Sequence, residues 1–132
     1  MAAAPKFAKK FAKTHEWIRL DDDGLATVGI SAYAVEALTD LVFMQLPEVG
    51  RAVKAGESIG EIESVKAVSD FYAPVSGEVV AVNAALPGNL ETLGQDPYGA
   101  GWLVKLRPAD TAELGTLLDQ AAYDTLVKSQ PH

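Results

Sequence analysis

The chemistry open to this chain is set by two imidazoles, no thiol and one amine in an unusual place. Without cysteine among its 132 residues the polypeptide can form no disulfide, thiolate nucleophile or zinc–thiolate site. Any redox chemistry must therefore be imported. The imidazoles are His15 and His132, and His132 is the last residue of the sequence, so a metal centre or a Ser-His-Asp arrangement would rest on His15 alone. Neither "GESIGE" nor "GRAVKAG" has the spacing or the Lys-Ser/Thr ending of a phosphate-binding loop. The eighteen acids are spread along the chain, and spacing selects no pair for acid–base work.

The amine is Lys66, in "GEIESVKAVSDFYAPVSGEV", residues 60–79. Apolar and polar residues alternate before it (Ile59, Glu61, Ile62, Glu63, Val65), and Val68 and Phe71 follow it. This predicts two half-buried strands with "SVKA" at their junction. A lysine at a tight tip keeps its ammonium hydrated and its stem off the core, within reach of a modifying enzyme. By position alone Lys66 is either an ordinary solubilising charge, as exposed lysines commonly are, or an amine presented to another enzyme.

The elements that must position it are short. "HEWIRL" and "DDDGLATVGI" read as strand, acidic turn at Gly24, strand. Ser31 can cap a helix over "AYAVEALTDL", and "VFMQLP" is a strand ended by Pro47. Glycines at 50, 56 and 77 and Pro74 break the following stretch into further strands, with Gly77 expected in the turn that returns the chain. "NAALPGNLETLGQDPYGAG", residues 83–101, should carry little regular structure. "WLVKL" reads as a last strand, and Leu114, Leu117, Leu118, Ala121 and Leu126 fall near helical spacing behind it. Trp17 and Trp102 are expected in the core or a cleft wall. Short strands with Gly/Pro turns favour a small antiparallel sandwich or barrel with peripheral helices.

With 48% hydrophobic and 22% charged residues the chain reads as one globular domain. A net charge of -7 argues against a nucleic-acid partner, and no apolar run approaches the roughly 20 residues of a membrane span. "MAAAPKFAKKFAKTHEW" carries four lysines before Glu16 but neither the apolar run of a secretory signal nor the Arg/Ser enrichment of a mitochondrial one. We read residues 1–12 as a basic arm, 13–132 as the domain, and a bacterial cytoplasmic location.

From about Lys13 to the C-terminal helix, "THEWIRL", "ATVGIS", "ALTDLVFMQLPEVG", "GESIGEIESVKAVSDFYAPVSGEVVAVN" and "DPYGAGWLVKL" together resemble the glycine cleavage system H-protein. The resemblance implies a mainly β fold of the lipoyl/biotinyl type, an antiparallel barrel-sandwich hybrid with short peripheral helices and a C-terminal helix. It implies a non-catalytic carrier with lipoic acid in amide linkage on Lys66, added by a lipoyl-attaching enzyme. The expected partners are three: glycine decarboxylase (P-protein), which loads an aminomethyl group; the aminomethyltransferase (T-protein), which takes the methylene; and dihydrolipoamide dehydrogenase (L-protein), which reoxidises the arm. Glu16 resembles the family's cleft carboxylate, and Asp70 is a second acid near the arm's root.

Two features depart from the family. Ala37 stands where some relatives have a histidine, and the 86–99 loop differs in its spacing of acids and asparagine. A biotinyl domain would have methionine on both sides of the lysine, where this chain has Val65 and Ala67. A 2-oxoacid dehydrogenase lipoyl domain would have an acid before it and a linker after the domain. A relay passing lipoyl groups to 2-oxoacid dehydrogenase complexes remains an alternative within the same resemblance.

Overall fold

In the computed structural model, which describes residues 9–21, 23–38 and 40–129, nine short strands among those residues form two antiparallel sheets. β1 (Lys10–Phe11), β2 (Glu16–Leu20) and β3 (Ala26–Ile30) are followed by helix α1 (Ala32–Leu38) and β4 (Leu41–Gln45). β5 (Ala52–Val53), β6 (Ser58–Ser64), β7 (Val68–Tyr72) and β8 (Gly77–Val82) come next, then α2 (Glu91–Gln95), β9 (Val104–Pro108) and α3 (Gln120–Lys128). The larger sheet has the order β1-β2-β3-β9-β8-β5 and the smaller β4-β6-β7.

A register shift between Ser58 and Gly60 turns Ile59 to the same side as Ile62, and both join Phe71 of the smaller sheet in one core with Val28, Val79, Val104 and Leu106 of the larger. The opposite face of the smaller sheet carries Glu61 opposite Asp70 and Glu63 opposite Val68. A second cluster, Phe11, Trp17 and Tyr123, closes the other end, with Tyr98, Trp102, Leu118, Leu126 and Val127 packed against it. Trp17 is fully buried and its indole N–H donates to the Pro97 carbonyl at 3.0 Å. Gly29 lies directly opposite it, and a Cβ there would fall 2.6 Å from the indole nitrogen. Both tryptophans thus serve packing.

Several expectations need correction. The 86–99 segment is ordered by burial of Leu86 and Leu93, which fold a 3-10 turn at Leu86–Gly88 and α2. The helical tail is broken: a 3-10 stretch, Thr111–Thr116, ends before Leu117 and α3 begins at Gln120. Between them Leu118 pairs with Phe11 through two backbone hydrogen bonds of 2.7 and 2.8 Å, which extended chain can make and a helix cannot. The Asp119 side chain then caps α3 by accepting the Ala122 N–H at 2.8 Å.

Gly77 sits in β8, not in a turn. A Cβ there would lie 2.4 Å from the Arg107 carbonyl oxygen, so the glycine permits close approach of β9. The first helix stops at Leu38, because Leu41 is drawn into β4 opposite Ser64. Of the arm expected over 1–12, residues 1–8 lie outside the described residues, while Lys10–Phe11 is β1 and Phe11 is fully buried.

Candidate functional site

β6 and β7 form the anticipated hairpin, with Glu63 opposite Val68 and "SVKA" at its end. The backbone here makes an unusual closure. The Ser64 N–H donates to the Ala67 carbonyl at 2.8 Å, while the amides of Lys66 and Ala67 both donate to the Ser64 hydroxyl oxygen, at 3.3 and 3.1 Å. Favoured two-residue hairpin turns require a positive φ at a central residue. Among the described residues His15 is the only non-glycine with positive φ, so Val65 and Lys66 do not form such a turn. The buried Ser64 hydroxyl supplies the acceptor instead.

A third tie, from the Val65 N–H to the Asp40 carbonyl at 3.1 Å, fixes the tip against the end of the α1 segment. Lys66 is exposed on this braced apex, with Val65 and Val68 beside it at 72% and 61% exposure. Ser64 is the supporting residue that the alternation did not reveal.

Glu16 is placed otherwise than a surface acid would be. It opens β2, is only 1% exposed, and has no basic partner among the described salt bridges. One carboxyl oxygen accepts from the Thr14 hydroxyl and the other accepts the Tyr72 N–H at 3.0 Å, at the foot of β7. Burial pushes its pKa up to about 7, against the opposing pull of those two hydrogen bonds. Thr14 and Tyr72 also line a cavity of about 270 Å³ with Ala12, Pro74 and Leu117.

Asp70 is exposed on β7, two residues before Tyr72 and four beyond Lys66. Lys66 thus lies just before β7, Asp70 lies on it, and Glu16 of β2 meets its far end at the Tyr72 N–H. Neither Thr14 nor Tyr72 was marked by the sequence pattern.

Behind Glu16 the chain is held from the C-terminus. The Tyr123 hydroxyl lies 2.7 Å from Nδ1 of His15 and 2.6 Å from the Ser31 hydroxyl, which also accepts the Ala34 N–H at 3.2 Å and so caps α1. Burial pushes the Tyr123 phenol up to about 12, so it is neutral and donates. Among the described residues no group of three or more His, Cys, Asp or Glu could hold a metal, and no helix is long and apolar enough to cross a membrane.

The family model for the glycine cleavage H-protein matches residues 9–130. A glycine cleavage system H protein of Phenylobacterium zucineum is 56% identical over 118 residues, which are 89% of this chain and 97% of that relative. One of Escherichia coli is 51% identical over 121 residues, 92% of this chain and 94% of the relative. A crystal structure of a glycine cleavage system H protein from Mycobacterium marinum superposes with a TM-score of 0.82 at 48% identity, covering 89% of this chain and 94% of that one. The two-sheet, mainly β architecture with short helices is that of this neighbour. With the family model matched from β1 through α3 and half or more of the residues identical to such relatives, this chain belongs to the glycine cleavage H-protein family.

Proposed function

We propose that this chain is the lipoyl carrier of the glycine cleavage system, with lipoic acid joined as an amide to Nζ of Lys66. The observation that carries the assignment is the braced apex, where an exposed lysine sits on a tip fixed by Ser64 and Asp40. Such a group fits: the amine is open to a lipoyl-attaching enzyme, and the exposed Val65 and Val68 offer a hydrocarbon chain an apolar collar. When bound, the group supplies the redox-active disulfide the cysteine-free chain lacks, accepting the aminomethyl group at the P-protein, yielding its methylene at the T-protein and being reoxidised at the L-protein.

The chain's own part is to present and to shelter. A rigid tip with a flexible tether lets one carrier visit several active sites, because tethering raises effective concentration only where the arm can span. Amide formation removes the Lys66 charge, leaving the tip neutral. Asp70 and Tyr72 stand four and six residues along the chain from Lys66, about 13 and 20 Å of extended strand, and a cationic amine folded back along β7 passes the first and approaches Glu16 behind the Tyr72 N–H. Glu16, held near neutrality by burial, becomes a carboxylate when such a cation arrives, because a neighbouring positive charge favours the ionised form. The proposed location is the bacterial cytoplasm.

The test is the intact mass of the protein from cells supplied with lipoate, beside Lys66→Arg. A gain of one lipoyl amide in the parent and none in the variant is expected. An unmodified parent in a host with working lipoyl attachment would overturn the assignment.

A further inference from the structure

The residue between Thr14 and Glu16 is the one non-glycine with positive φ among the described residues: His15, at 81°. A left-handed backbone is uncommon for a side chain of this size and has to be held by its surroundings. Here the holding contacts are explicit. The His15 N–H donates to the Ala12 carbonyl at 2.9 Å, and its own carbonyl accepts the Ser31 N–H at 2.9 Å. The ring packs 4.9 Å from Tyr33 and meets the Tyr123 ring edge-on at 5.6 Å.

The Tyr123 hydroxyl thus bridges His15 Nδ1 and the Ser31 hydroxyl, one proton joining each pair. Tyr123 is itself fixed by stacking on Phe11, with centroids 4.2 Å apart and planes 6° apart. A chain of contacts thus runs from α3 to the turn whose two flanking side chains, Thr14 and Glu16, touch each other at the foot of the hairpin.

We propose that His15 is a positioning residue: through Tyr123 it lets the C-terminal helix fix the turn at 14–16, and so sets the Glu16 carboxyl against the Tyr72 N–H where a cationic amine is received. The inference rests on the reading of Glu16 given above, but its first readout does not. The ring packs on Tyr33 and Tyr123, and its tie reaches Glu16 through the backbone of the turn.

The variants separate backbone from side chain. His15→Gly accepts the positive φ but loses the tie to Tyr123, Tyr123→Phe loses the same tie from the other end, and His15→Asn keeps an acceptor near Nδ1 and tolerates the left-handed region. In the full chain without lipoate, exchange of the Tyr72 amide should quicken about tenfold in His15→Gly and Tyr123→Phe and return to the parent rate in His15→Asn. The amides of Ile18 and Val28, in the sheet that carries Glu16, should not change, which a general loosening of the fold would not allow.

In the lipoylated protein charged with glycine and the decarboxylase, formaldehyde release should quicken in His15→Gly as it does in Glu16→Gln. The double variant should be no faster than Glu16→Gln alone. An unchanged Tyr72 amide with a fast Glu16→Gln would overturn this inference alone. A Glu16→Gln protein that releases formaldehyde at the parent rate would overturn the reading of Glu16, and this inference with it.

Discussion

The Glu16 carboxyl accepts the Tyr72 N–H at 3.0 Å, joining residues 56 apart in sequence and tying the larger sheet to the foot of the lysine-bearing hairpin. Edge strands of a small sheet leave amides to be satisfied somewhere, and here a buried acid does it. The acid thereby gains a fixed place beside the strand that leads back from Lys66. It also loses water, and with it part of its acidity.

Stability should therefore fall as pH rises past the ordinary carboxylate range. Unfolded, Glu16 ionises near the ordinary glutamate value of 4.5, whereas in the fold burial pushes its pKa up to about 7. Between the two the native chain keeps a proton that the unfolded chain has released, so the contribution is full below the lower value and lost through the upper. At 1.36 kcal/mol per unit the span is roughly 3 kcal/mol. Urea midpoints of the parent against Glu16→Gln should diverge by that order between pH 5 and 7.5, the parent losing ground. A constant difference would mean that Glu16 is already ionised in the native state at pH 5. Asp21 does not interfere: burial raises it, but hydrogen bonds from Thr27 and Arg19 and the charges of Arg19 and Lys105 outweigh that and hold it below its usual range. Its contribution is lost only at more acidic pH.

Ser64→Ala should loosen the tip without unfolding the chain. Two amides lose their acceptor, but that of Lys66 sits at an exposed apex where water can replace it, so a cost of about 1 kcal/mol is expected. The sharper effect should be on lipoate attachment, several-fold slower at limiting ligase because the lysine is no longer held in one place. Attachment at the parent rate would show that the brace has no part in presentation.

The two close-packed glycines should differ in what they tolerate. Alanine at Gly29 meets three atoms of the buried Trp17 indole from 2.6 Å, so the ring must move by most of an ångström against its hydrogen bond to Pro97; alanine at Gly77 meets the Arg107 carbonyl at 2.4 Å, which two paired strands hold in place. Overpacking costs about 1–3 kcal/mol, and both should lie in the upper part of that range, with Gly77→Ala the costlier because backbone yields less than a side chain. Thermal midpoints of the two variants decide the order.

The hairpin was legible in the sequence because its signal is local: Glu61, Ile62, Glu63 and Ser64 before the tip and Val68 to Phe71 after it alternate as a half-buried strand does, while Ile59, three residues from Ile62, reaches the core through a register shift that spacing does not show. Glu16 was legible only through its family motif, because what gives it character is a contact with Tyr72 that no spacing encodes. The tail misled for a similar reason. Leu114, Leu117, Leu118 and Leu126 have helical spacing, yet pairing of Leu118 with Phe11 outweighs one helix turn. His15 stood out in the sequence only as an imidazole; its positive φ, at a residue other than glycine, left no mark there.

Phe11 is where these long-range ties converge, and Phe11→Ala should act at two distances. Its ring is fully buried and stacked on Tyr123, and its backbone is paired with Leu118, so truncation removes a large core side chain at a cost of about 3–5 kcal/mol. That loss should appear as a lower urea midpoint. Because the ring is also what Tyr123 rests on, the Tyr123 hydroxyl should lose its fixed distance to His15 and Ser31. Exchange at the Ala34 amide, which Ser31 caps, should then quicken in conditions where the fold persists. Phe11→Leu, which keeps bulk but no stacking face, should recover most of the midpoint and less of the Ala34 protection. Equal recovery of both would mean that Phe11 only fills space, and that α3 is coupled to the turn at His15 by some other route.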